Sequence, residues 1–225
     1  MLNLSYFLNP ETPAYGNGEG PVFEPDKQMC CGDSCNTLKI SMSNHHGTHL
    51  DAPLHFDPEG KSLCDYPASF WYCKHVVLLD CPLGEAEILT PGKLGECLSK
   101  LENLQKDSVD ALILKTGWSK RRGSEEYMLK PPGFHSDLAD YLRSEFGQLK
   151  FFGFDVISLS SFTNRPMGRI AHKTFLAQKP EILILEDLNL NPVESMAFDG
   201  IENLLIAPLM IEKGDGAPCT VFANL

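Results

Sequence analysis

An α/β domain with a mixed β-sheet and flanking helices is what this sequence predicts. Three observations lead there: short apolar runs of strand length, helical patterns set between them, and no internal repeat or linker. At 225 residues, with 43% hydrophobic and 22% charged side chains, the chain fits one globular domain spanning residues 1–225.

The strands are read from two patterns. From Thr37 to Ser43 side chains alternate, with Leu38, Ile40 and Met42 on one face and Thr37, Lys39 and Ser41 on the other, as in a half-buried strand. The runs 75–80, 111–115, 151–156, 182–185, 204–211 and 220–222 are more continuously apolar, as strands covered on both faces are. Thr90-Pro91 reads as an N-cap with proline in the first helical turn, followed by Leu94, Leu98, Leu101 and Leu104 at helical spacing. A second helix is expected from near Ser136, carrying Leu138, Tyr141, Leu142 and Phe146 and stopping at Gly147. A third, shorter one is expected over 171–178, ended by Pro180. The Gly/Pro-rich segment from Asn9 to Pro25 is long for a plain connection, which marks it as a substrate-covering or interface segment.

A formal net charge of -11 argues against nucleic acid or an anionic membrane as partner, because both need concentrated positive charge. The one basic cluster, Lys120-Arg121-Arg122, is followed at once by Glu125-Glu126 and reads as a solvated loop. No run approaches the ~20 apolar residues that cross a bilayer. The first residues show no basic segment followed by an apolar one, so a cytoplasmic location is expected. In that compartment the 8 cysteines should be thiols. The one tight group, Cys30, Cys31 and Cys35, has no second Cys/His pair at zinc-finger spacing.

Chemistry concentrates in His45-His46-Gly47-Thr48-His49-Leu50-Asp51-Ala52-Pro53-Leu54-His55-Phe56. Four of the chain's 7 histidines fall in this stretch, and Asp51 lies between two of them. On an extended chain His45, His49, Asp51 and His55 would all point to one side. A straight strand would still hold His45 and His49 roughly 13 Å apart, so both reach one metal only if the chain bends, and Gly47 permits a bend. Imidazole and carboxylate donors suit zinc or manganese, and so many polar groups are costly to bury without a cation.

The stretch resembles the signature H-x-G-T-H-x-D-x-P-x-H-F of the metal-dependent cyclase/hydrolase family, which includes bacterial kynurenine formamidases and isatin hydrolases. Every fixed position matches, from His45 to Phe56. The resemblance continues through Phe56-Asp-Pro-Glu-Gly60, Lys115-Thr-Gly-Trp118, Gly153-Phe-Asp-Val-Ile-Ser158, His172-Lys-Thr-Phe-Leu176 and Ile184-Leu-Glu186-Asp-Leu188. It implies a swivelling β/β/α-like fold and two divalent metal ions per site, zinc first and manganese second. The same resemblance implies that His45, His49 and Asp51 bind one ion. Asp51 then bridges to a second ion completed by His172 and Glu186, and His55 moves protons. It further implies a homodimer or homotetramer. Where the formamidases carry a tryptophan before a Pro-Gly-Asp turn, this chain has Tyr15-Gly16-Asn17-Gly18, so Tyr15 becomes the substrate-binding candidate. The spacing from His172 to Glu186 is also longer than in the formamidases, through a loop at 178–181.

Together these features predict a metal-dependent hydrolase of a small carbon–nitrogen bond, with N-formylkynurenine as the first substrate. An isatin-like cyclic amide is the alternative. A non-catalytic, metal-dependent small-molecule binding protein is the alternative from another class. Phe70-Trp71-Tyr72 and Trp118 are expected in the core, and His46, His75 and His135 at the surface or behind the site.

Overall fold

The computed structural model describes residues 1–102, 104–197 and 199–225. Its strands are β1 (Leu2–Asn3), β2 (Val22–Lys27), β3 (Thr37–Ser41), β4 (His49–Asp51), β5 (Tyr72–Cys73), β6 (Val76–Asp80) and β7 (Ile88–Leu89). After these come β8 (Ala111–Lys115), β9 (Gly133–Phe134), β10 (Phe151–Phe154), β11 (Leu183–Glu186), β12 (Asn203–Pro208) and β13 (Gly216–Asn224). The helices are α1 (Pro91–Leu98), α2 (Glu125–Leu129), α3 (Leu138–Glu145) and α4 (Arg165–Leu176).

One mixed sheet dominates, in the order β5-β12-β13-β4-β11-β10-β8-β6, with β1 added beside β13. Its β6-β8-β10-β11 half is parallel, and β4, β12, β13 and β5 continue it in antiparallel pairing. The short strand β4 is therefore the seam, held by β11 on one side and β13 on the other.

Continuous apolar runs in the parallel half follow from two cores. Val77, Leu79, Leu112, Leu114, Phe152, Phe154 and Ile184 point to one face, where α1, α3 and α4 cover them with Leu94, Leu98, Leu138, Leu142, Ala171 and Phe175. Their neighbours Val76, Leu78, Ile113, Phe151, Leu183 and Leu185 point to the other. There the sheet curls over itself, and Leu204, Ile206, Val221 and Ala223 of the antiparallel half share the core. Trp118 and Trp71 are buried in these two cores, as expected of them, whereas Tyr72 is exposed.

Several elements depart from expectation. β3 exists, but both its faces are exposed, because among the described residues it pairs only with β2, in a two-stranded hairpin. β12 and β13 are covered on one face rather than two, which fits their outer position in the curled sheet. α1 has its expected cap, with Lys93 N–H donating to the Thr90 hydroxyl at 3.4 Å, yet it ends at Leu98 before Leu101 and Leu104 are reached. α4 begins at Arg165 rather than 171, with Pro166 in its first turn. Gly168, which argues against helix from sequence alone, is there because a Cβ would lie 1.9 Å from the Ser160 hydroxyl. Arg122 is not part of a solvated loop: it pairs with the buried Asp187, with Nη2 to Oδ2 at 2.8 Å, and stacks on the Tyr6 ring.

Phe152 has no exposed surface, and its ring lies 5.2 to 5.6 Å from those of Phe134, Phe154 and Phe175. Phe152→Ala is expected to lower unfolding free energy by about 3–5 kcal/mol, read by denaturant titration with an unchanged m-value.

Candidate active site

The expected bend occurs at Gly47, whose φ is 67°, and a side chain there would press on Leu8. It brings the ring centroids of His45 and His49 to 5.2 Å. Alternation along an extended chain accounts only for His49 and Asp51, which share one face of β4. His45 arrives from the turn before the bend, and His55 from the turn Pro53–His55. The other two predicted ligands come from distant parts of the chain. The β4–β11 register sets Glu186 opposite His49, and α4 turns its buried face, with His172, toward the same point. The loop at 178–181 enters β11 at the end away from Glu186, so its length need not move the ligand.

The five predicted ligands and His55 thus meet in one place. Asp51 Oδ1 is 2.8 Å from His45 Nδ1 and 3.5 Å from His49 Nε2, and Asp51 Oδ2 is 3.6 Å from His172 Nε2. Glu186 lies 3.2 Å from His49 Nε2 and 3.6 Å from His172 Nε2, and its Oε1 accepts from Leu159 N–H at 2.7 Å. The far nitrogens of His49 and His172 are engaged by backbone: Nδ1–H of His49 donates to Gly47 C=O and that of His172 to Gly168 C=O, each at 2.8 Å. Both rings therefore turn their Nε2 lone pairs inward, an arrangement typical of metal-ligating histidine.

These groups fit a divalent cation. Asp51, Glu186, His49 and His172 are each no more than 5% exposed. Two donor groups, His45/Asp51/His55 and His49/Asp51/Glu186, each hold their ligand atoms within 4.8 Å of one another and share Asp51; they divide the donors differently from the two sets the resemblance implies, with His55 beside His45 and His172 in neither. Nitrogen and carboxylate oxygen donors at that density suit zinc or manganese. Burial alone would lower the His45 imidazole, but its bonds to Asp51 and Asp215 outweigh burial and raise it to about 9. Burial likewise works against ionised Asp51, yet His45, His49 and His55 hold it well below the carboxylate range. Without a metal the cluster therefore retains protons.

A cavity of about 300 Å³ opens above these donors, at the small end of the range for small-molecule sites. Pro13 and Tyr15 of the Gly/Pro-rich segment wall it, with Ile157 and Ser158. The Tyr15 ring meets Phe162 edge-on at 5.5 Å, and its hydroxyl is buried with no hydrogen-bond partner among the described residues.

Some residues at the site are not predicted from sequence. Asp215 bonds His55 and His45, and Asn44 donates to Asp215. Asp187 follows Glu186 at a positive φ and anchors it through Arg122 and Tyr127. His46 is buried behind the site between the Ser43 and Glu19 carbonyls, whereas His75 is exposed.

The family model described as putative cyclase matches residues 2–161. The chain belongs to the putative cyclase family. A protein named kynurenine formamidase from Bacillus cereus is 33% identical over 186 residues, 82% of this chain and 78% of the relative. That of Geobacillus thermodenitrificans is 31% identical over 189 residues, with the same shares covered. Among solved structures, isatin hydrolase A from Labrenzia aggregata superimposes with a TM-score of 0.76 at 24% identity, covering 98% of this chain and 91% of the other. A structure described as a potential metal-dependent hydrolase with cyclase activity gives 0.71 at 22% identity, covering 99% and 96%. The cyclase fold expected from the motif is the fold observed.

Zinc uptake by the metal-free protein at pH 7 is expected to release protons, and zinc affinity to fall as pH drops. Calorimetry in buffers of differing ionisation enthalpy measures this, and a buffer-independent heat would contradict it. The raised His45 also stabilises the metal-free fold below the unfolded imidazole value of ~6.5. That contribution is lost as pH rises through about 9, so the metal-free Tm should fall across this window.

Proposed function

We propose that this chain is a metal-dependent amide hydrolase acting on a small aryl formamide, with N-formylkynurenine as its first substrate. The observation that carries this reading is the shared, buried Asp51 beneath a small-molecule cavity, with His55 in its wall. The relatives named kynurenine formamidase support the substrate.

In this reading His45, His49 and Asp51 would hold one ion, and Asp51, His172 and Glu186 would hold a second. Zinc is the first choice, and manganese accepts the same donors. A divalent ion bound there supplies Lewis acidity, polarising the scissile carbonyl and lowering the pKa of a water molecule beside it. His55 takes the proton from the attacking water and passes it to the departing aryl amine as the C–N bond breaks. Formate and a free amine are the products, and no other reactant is consumed. Burial pushes the Tyr15 phenol up to about 12, so it stays protonated and donates to the substrate from an otherwise unpartnered position. The cyclic amide of the isatin kind is the second reading, favoured by Tyr15 standing where the formamidases carry tryptophan.

We also infer a homodimer or homotetramer. Phe7, Ile40 and Leu209 are exposed around an apolar groove between the first strand region and β12, and a second copy would cover them. We likewise infer a single domain over residues 1–225 and a cytoplasmic location. No helix among the described residues is long and apolar enough to cross a membrane.

With the protein loaded separately with zinc and manganese, N-formylkynurenine should be hydrolysed. His55→Ala should retain its metal by elemental analysis while kcat falls by about 10²–10⁴-fold. Asp51→Ala should lose both metal and turnover. Tyr15→Phe should raise KM several-fold with kcat nearly kept. Full turnover by metal-loaded His55→Ala would remove the proton-transfer role, and turnover of isatin alone would favour the second reading.

A further inference from the structure

Asp215 belongs to none of the elements that the signature motif predicts, yet it lies against two of the motif's histidines. Its Oδ2 is 2.8 Å from His55 Nδ1 and 3.1 Å from His45 Nε2, and its Oδ1 accepts from the Asn44 amide at 2.7 Å. The two imidazole rings above it are stacked, with centroids 4.1 Å apart and planes at 29°. We propose that Asp215 is a positioning residue that sets both the orientation and the tautomer of His45 and His55. The proposal rests on the hydrolase reading of the site for its consequence, but not for its geometry.

The chemistry is one of acceptors. An ionised carboxylate has no proton to give, so each imidazole nitrogen facing it must carry one. Both nitrogens of His45 face a carboxylate, Nδ1 that of Asp51 at 2.8 Å and Nε2 that of Asp215 at 3.1 Å, so with a divalent ion at Asp51 to take the Nδ1 lone pair the remaining proton would stay at Nε2 toward Asp215. Neutral His55 is protonated at Nδ1 and keeps its lone pair at Nε2, for which no protein partner occurs among the described residues. One carboxylate thus turns one histidine toward the cation donors and leaves the other free for proton transfer. A carboxylate behind a ligating imidazole also raises its basicity, and removing such a partner typically costs about 10–100-fold in metal affinity.

The backbone is built to hold Asp215 in this position. Its C=O accepts from Ala52 N–H at 2.9 Å, and Gly216 pairs with Asp51 in the β13–β4 register. Asn44 also donates to the Gly216 carbonyl at 2.9 Å, so one amide spans the turn. A Cβ on Gly216 would lie 2.4 Å from His45 Cε1 and 2.7 Å from Leu50 C=O, so only glycine lets the strand come this close beneath the rings.

The test is Asp215→Asn, because an amide with its oxygen toward the two imidazoles sets its NH2 against the Asn44 donor, and the reverse orientation sets the NH2 against the two ring N–H groups. Long-range ¹H–¹⁵N spectra of the zinc-loaded protein read the tautomers directly. The wild type should show His45 protonated at Nε2 and His55 at Nδ1, and Asp215→Asn should shift at least one ring to the other tautomer. In the same variant zinc affinity, measured by competition with a chromophoric chelator, should fall about 10–100-fold. Turnover of N-formylkynurenine should fall at least about 100-fold in kcat with KM nearly unchanged. An opposite tautomer on either ring of the wild type would overturn the proposal even if the variant failed to fold. Unchanged tautomers and unchanged zinc affinity in a folded variant would overturn it as well. Were the wild type to hydrolyse no amide, the hydrolase reading would fail while the spectra and the affinity still judged Asp215.

Discussion

Asp51 and Glu186 lie on the adjacent strands β4 and β11 with almost no access to water, and each makes the other's ionisation harder. Burying one carboxylate costs several kcal/mol, and two side by side hold only if cationic or hydrogen-bonding partners surround them. The surroundings here are built for that task. Three imidazoles converge on the pair from a bend, a strand and a helix, and the Leu159 N–H covers an oxygen of Glu186. A divalent cation would complete what these groups begin.

A second layer holds the two strands from behind. Asp187 is buried next to Glu186, and burial raises its carboxyl even against Arg122 and Tyr127. Arg122 grips both its oxygens, the Tyr127 hydroxyl donates to it at 2.5 Å, and its backbone carbonyl accepts from the Thr48 hydroxyl at 2.6 Å. Thr48 precedes His49 and Asp187 follows Glu186, so this one network braces the residue before one ligand to the residue after another. Arg122 in turn stacks on Tyr6, which ties the segment around β1 to the same point. A pair that breaks here would release an uncompensated buried charge, a costly event in a protein interior.

How much of this is legible in the sequence differs from element to element. The parallel strands are, because both their faces are covered and so the apolar run is unbroken. The hairpin carrying β3 is only half so: alternation announces a strand, but nothing local says whether anything covers it. α4 reads shorter than it is because Gly168, needed for close contact with Ser160, looks locally like a helix breaker. At the site, His45, His49, Asp51 and His55 stand out because they are close in sequence. His172 and Glu186 are reached only through family resemblance, since a lone histidine or strand-end glutamate has no local signal. Asp215 has no signal at all, because it meets His45 across 170 residues of chain.

The place of β4 in the sheet has a consequence for how the protein comes into being on the ribosome. Both of its neighbours, β11 and β13, lie far downstream, so β4 has nothing to pair with while residues 52–182 are being made. The strand that carries His49 and Asp51 must wait, unpaired, through that whole stretch of translation. At roughly 5–20 residues per second this is a delay of many seconds, during which its hydrogen-bonding edges are open to other chains. The seam therefore closes late, and the strand that afterwards carries two of the site's side chains stays open to misassembly until then.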